Sequence, residues 1–157
     1  MNNFLQSLQN SSLAVTVAES WFPYVESIHV IALALVAGSI FVVDTRLIWK
    51  TSKNLPFTHV AHRLLPWTWG AFILAAITGT LLYISNATGY LEKTPFIIKF
   101  ILMGLAGVNM AYFHLVTFRN VASWDMGKPP AAAIASGYLS LILWVGVLFF
   151  GRLIGFV

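Results

Sequence analysis

The sequence predicts an all-α fold, an integral membrane four-helix bundle, from three observations. First, 59% of the 157 residues are hydrophobic and only 9% are charged, where a soluble domain averages about 25% charged. Second, four apolar runs fall at 24–49, 66–86, 95–118 and 131–156, and each can cross a hydrocarbon core, which takes roughly 20 helical residues. Third, lipid offers the backbone no hydrogen-bond partners, so each run must close its own bonds as a helix. The four spans use most of the chain, so the sequence reads as a single domain.

The lead-in, MNNFLQSLQNSSLAVTVAES, has no Lys or Arg, no long apolar core and no small-residue cleavage pattern. It reads as a polar-to-amphipathic surface segment and not as a signal peptide. The first span follows as ESIHVIALALVAGSIFVVDTRL, an apolar run held between Glu26 and His29 at one lip and Asp44 and Arg46 at the other. In NLPFTHVAHRLLPWTW, Asn54 is suited to an N-cap and Pro56 to a first turn. A short interfacial helix is expected over about 55–65, with a kink or break at Pro66, where an amide donor is lost. Between spans two and three, SNATGYLEKTPF is a turn-rich loop ending with Thr94 as cap and Pro95 at the helix start.

Charge placement gives the expected orientation. Arg46, Lys50, Lys53, Arg63, Arg119 and Lys128 flank one side, against Lys93, Lys99 and Arg152 on the other. Six against three puts both termini on the periplasmic side of a bacterial inner membrane. Trp49, Trp67, Trp69 and Trp124 mark the inner headgroup level, and Trp21, Tyr24, Tyr83 and Tyr90 the outer one. Trp144 stands apart in mid-span, where it reads equally as lipid-facing filler and as a packed residue whose indole needs a partner. Small residues four apart, at Ala34 and Gly38, Ala75 and Gly79, Gly107 and Ala111, Ala133 and Gly137, and Gly151 and Gly155, are expected to face neighbouring helices.

Several function classes are excluded. The chain has no cysteine, which removes disulfides, thiolate metal sites and iron–sulfur clusters. It has no HExxH, GxSxG or Walker sequence, and five acids in all, too few near one another for a di-iron centre. A net charge of +4 does not signal nucleic acid here, because the basic residues lie at span ends. Transport lacks its usual inverted repeat and broken helices. The expected partners are the lipid bilayer and other membrane subunits or further copies of the chain.

Ionisable groups inside a span are costly and are functional candidates by default. Two bundle levels collect them. At one, Glu26, His29 and Lys99 share a depth, and read both as a polar packing cluster and as a site for a quinone, a metal or a second haem. At the other, His114, His59 and His62 gather with Asn109, Asp44 and Arg46. Two histidines from different helices can hold a haem, so His114 with His62, or with His59 in its place, are the expected ligands of the iron of haem b. Arg63 and Arg119 are placed for its propionates. Bis-His ligation points to electron transfer within or beside a membrane redox complex; the alternative is a cofactor-free accessory subunit. Asp44 and Arg46 read as a structural pair fixing the end of span one.

The stretches SWFPYVESIHVIALALVAGSIFVVDTRL, LPWTWGAFILAAITGTLLYISNA, PFIIKFILMGLAGVNMAYFH and GRLIGFV resemble a family of small bacterial inner-membrane four-helix proteins of unknown function. The resemblance covers nearly the whole chain. It implies that Glu26, His29, Asp44, Arg46, Pro66, Lys99 and Asn109 are recurring positions; Thr45 stands where that family often has leucine. More loosely, the layout is similar to b-type membrane cytochromes and to copper-resistance membrane domains, at the level of fold alone.

Overall fold

The computed structural model describes residues 2–49 and 55–156. Lys50, Lys53 and the expected cap Asn54 lie outside the described residues. All regular structure among the described residues is helical: α1 (Asn2–Gln9), α2 (Ser12–Thr16), α3 (Phe22–Trp49), α4 (Phe57–Ser85), α5 (Ala87–Glu92), α6 (Thr94–Tyr112) and α7 (Ala131–Leu153). A π turn, Val17–Trp21, joins α2 to α3 without a break, and a second, Phe113–Thr117, extends α6 into a 3-10 turn, Phe118–Ser123. Four helical stretches are long and apolar enough to cross a membrane: Ser12–Trp49, Phe57–Ser85, Thr94–Ser123 and Ala131–Leu153. That is the architecture of a multi-pass membrane protein.

The expected break at Pro66 is absent. α4 runs from Phe57 to Ser85 with Pro66 inside it, so the separate interfacial helix over 55–65 is its first two turns. A proline removes one ladder bond, and the remaining bonds carry the helix through. The start of α4 is secured from elsewhere in the chain. Pro56 is its N-cap and offers no capping side chain. Asp125, in the connection before α7, accepts from the Thr58 amide at 2.8 Å and from its hydroxyl at 2.7 Å. Thr94 likewise is not the cap of α6: Lys93 holds that place, with Pro95 in the first turn, and the Lys93 ammonium donates to the Ile154 carbonyl at the end of α7 at 2.8 Å.

α3 packs against α4 and α7, and α7 against α6. Three of the five small-residue pairs serve these contacts, Gly151 of the last pair lying against the Lys99 side chain. A Cβ at Gly137 would meet Ile48 at 3.2 Å and the Asp44 carbonyl at 3.5 Å, and one at Gly79 would meet the His29 ring at 2.9 Å. Gly38 faces open space, with no atom within 4 Å of an added Cβ, so the Ala34 pair does not face a helix. Asn109 and Ser136 tie α6 to α7 reciprocally: the Asn109 amide donates to the Ser136 carbonyl, and the Ser136 hydroxyl to Asn109 Oδ1, both at 3.0 Å.

An apolar cluster of Leu47, Phe57, Ala61, Trp124 and Ala133 closes one end of the bundle. Trp124, expected at the headgroup level, is 6% exposed and packs its ring 5.4 Å from that of Phe57. Trp67, by contrast, is 78% exposed. At the opposite end, Tyr83 and Tyr90 stack on Phe96, and α1 folds back so that Gln9 Oε1 accepts from the Thr88 hydroxyl at 2.9 Å.

Candidate functional site

Helices α4 and α6 approach each other only at their ends. Phe57 meets Phe113 at one end, with ring centroids 6.1 Å apart, and Tyr83 meets Phe96 at the other, at 5.6 Å. Between these aromatic closures a cavity of about 490 Å³ lies among α3, α4, α6 and α7. Its α4 and α6 walls carry Trp69, Phe72 and Phe100, which are partly exposed, so the cavity opens sideways between these two helices. Gly104 and Gly107 line it with open space before them. The volume falls in the range of small-molecule sites, roughly 300–1,000 Å³.

The walls are apolar except for a few groups near one end: Asp44, Asn109, His114, Ser136, Ser140 and Thr68. Asp44 is 8% exposed with Ser140 as its polar neighbour, and its Oδ2 has no partner among the described residues. An unsatisfied carboxylate oxygen inside a protein carries a desolvation penalty with nothing to offset it. His114 lies in the π turn that ends α6, and π turns recur at functional sites. Its Nδ1 is 3.0 Å from the Met110 carbonyl. A carbonyl can only accept, so Nδ1 carries the proton and Nε2 is the nitrogen left for another partner.

Asp44 and Arg46 do not form the expected pair. Two residues apart on a helix point to nearly opposite sides; Arg46 donates to the Leu55 carbonyl, and Asp44 faces the cavity. The expected haem ligands divide as well. His114 lines the cavity, but His62 and His59 are exposed and do not. His62 is seven residues before Trp69, on the stripe of α4 at the rim. Arg63 and Arg119 are exposed and outside the lining.

At the far end His29 lies against α4, its Nδ1 2.9 Å from Thr78 Oγ1. The Thr78 hydroxyl donates to the Leu74 carbonyl at 2.7 Å, so its oxygen accepts from His29 Nδ1–H. Lys99 is within electrostatic reach of His29, and its stem rests against Gly151. Glu26 acts on Tyr90 instead: burial, and then this carboxylate, raise the Tyr90 phenol above its usual pKa. His29 and Lys99 thus converge as expected, with Thr78 as the partner the sequence did not name. No group of three or more His, Asp or Glu suited to a metal ion exists among the described residues.

Sequence reading missed the cavity role of Asp44, Ser140 and Trp144. The signal for Asp44 was available in the two-residue spacing that keeps it from Arg46; Trp144 stood out in mid-span but without a cavity to face, and Ser140, one turn before it on α7, gave no signal of its own. No family model, curated protein or solved structure matches this chain.

Proposed function

We propose that this chain is a membrane-embedded binding protein whose cavity takes a lipophilic molecule entering sideways from the bilayer between α4 and α6. The observation that carries this reading is the cavity itself: about 490 Å³, apolar along most of its wall, with polar groups confined to one end. Such a site holds the body of a ligand by burial and fixes its orientation at one polar point. Through this opening a molecule dissolved in acyl chains reaches the buried Asp44 carboxylate.

The test is to fill the cavity. Gly104→Leu adds a side chain where the wall is open. Bilayer-derived molecules are extracted from the purified protein and its variant and compared by mass spectrometry. The wild-type chain is expected to retain a specific lipophile in fixed proportion and the variant to lose it; equal recovery from both refutes the reading.

A second reading, haem b passing electrons to or from a membrane redox complex, is favoured by the anchored His114 ring. Histidines that ligate iron commonly donate their other nitrogen to a carbonyl, as His114 does to Met110. The fit is partial: His114 would supply one ligand nitrogen, His62 stands outside the lining, and among the described residues no Lys or Arg lines the cavity to meet propionates. Bound haem would supply one-electron chemistry. A Soret band that responds to dithionite and is lost in His114→Ala is the expected result; a colourless wild-type protein, purified from haem-replete cells, removes this reading.

A further inference from the structure

The cavity's charge is one-sided. Among the described residues Asp44 is its only Asp or Glu, no Lys or Arg lines it, and the sole other titratable lining group is His114. Arg46, two residues on, is turned to the Leu55 carbonyl, and Lys99 is outside the lining. Asp44 therefore keeps a nine-tenths-buried carboxyl with Oδ2 unpartnered among the described residues. A negative charge in such surroundings is stabilised by a cation or a strong hydrogen-bond donor brought in with the ligand.

The walls suit the same visitor. Trp69 and Phe72 from α4, Phe100 from α6, Phe113 from the π turn that extends it, and Trp144 from α7 bring aromatic rings to the cavity. Aromatic faces attract organic cations, more strongly once both are desolvated, and enclosures of this kind recognise quaternary ammonium groups. An anionic lipophile meets the reverse: a carboxylate with no basic residue among the described lining to offset it. A bare metal ion finds too few ligands, as the described residues hold no group of three or more suited to one.

We infer that the cavity between α4 and α6 selects lipophilic organic cations, with Asp44 as the charge-recognising residue and the aromatic walls holding the apolar body. This rests on the binding role proposed above and names its ligand class.

Tetraphenylphosphonium and tetraphenylborate have nearly the same shape and opposite charge, and so separate charge recognition from burial. Binding of each is measured by calorimetry on the full chain in nanodiscs of zwitterionic phospholipid, with empty nanodiscs subtracted for partitioning. The cation is expected to bind saturably and at least about tenfold more tightly than the anion, and Asp44→Asn to erase that preference. Equal saturable binding of both ions by the wild-type chain overturns the inference and leaves the lipophilic cavity standing. Saturable binding of neither overturns both. A preference that survives in a folded Asp44→Asn protein also overturns the inference, and the wild-type comparison decides the matter if that variant does not fold.

Discussion

Arg46 donates to the Leu55 carbonyl and leaves Asp44, two residues earlier on α3, to the cavity with one carboxylate oxygen unpartnered among the described residues. Such an arrangement is poor for stability. Asp44→Leu exchanges an unsatisfied buried acid for an apolar side chain of similar size, and replacing buried charge in this way is commonly neutral or stabilising. The variant is expected to unfold at a higher temperature in detergent, by an increment corresponding to about 1–3 kcal/mol. A clear loss of stability would mean that Oδ2 has a structural partner.

His29 depends on Gly79 for its seat. A methyl group at 79 would stand 2.9 Å from the ring carbon Cε1, and the ring is also tied to Thr78 on the same helix. Overpacking of this kind costs about 1–3 kcal/mol. Gly38 is the matched control, because its Cβ would enter open space and alanine favours the helix by up to about 1 kcal/mol. Thermal unfolding is therefore expected to rank Gly38→Ala at or above wild type and Gly79→Ala below it. The reverse order would show that the ring is free to move.

These two glycines also show where sequence reading stops. Composition and run length were enough for four helices, and the depth argument brought His29 and Lys99 to one level from the rise per residue alone. Spacing could not say which side of a helix is occupied: Ala34–Gly38 and Ala75–Gly79 have the same pattern, yet only the second meets a neighbour. The same limit applies to the histidines. His114 and His62 were placed at one depth, but rotation about α4 carries His62 to the rim. The cavity was not legible at all, since it arises from two helices failing to pack, which leaves no mark on either segment.

The Asp125 carboxylate caps a helix to which it is not local. It accepts from both the amide and the hydroxyl of Thr58, and Phe57 N–H donates to the Asp125 carbonyl at 3.1 Å. Losing a capping side chain costs about 1 kcal/mol, so Asp125→Ala is expected to lower the unfolding temperature accordingly. Because the same contact pins the connection before α7, hydrogen exchange at the amides of Leu55, Phe57 and Thr58 should quicken together with that of the connection. Faster exchange confined to 125–128 would show that α4 has another cap.

The Asn109–Ser136 contact joins α6 to α7 within the apolar layer and is asymmetric in a way that mutation can read. Asn109 takes part in both hydrogen bonds, whereas the Ser136 side chain takes part in one, the other being accepted by its backbone carbonyl. Both residues are buried, so a group left without its partner has no water to turn to. Interhelical hydrogen bonds in membrane proteins are worth about 0.6 kcal/mol on average, which sets the expected scale. Asn109→Ala should therefore destabilise the bundle about twice as much as Ser136→Ala. The double variant should cost less than the sum of the two, since Ser136→Ala removes nothing further once Asn109 is gone. Strict additivity of the three unfolding free energies would mean that the two side chains do not share a bond in solution.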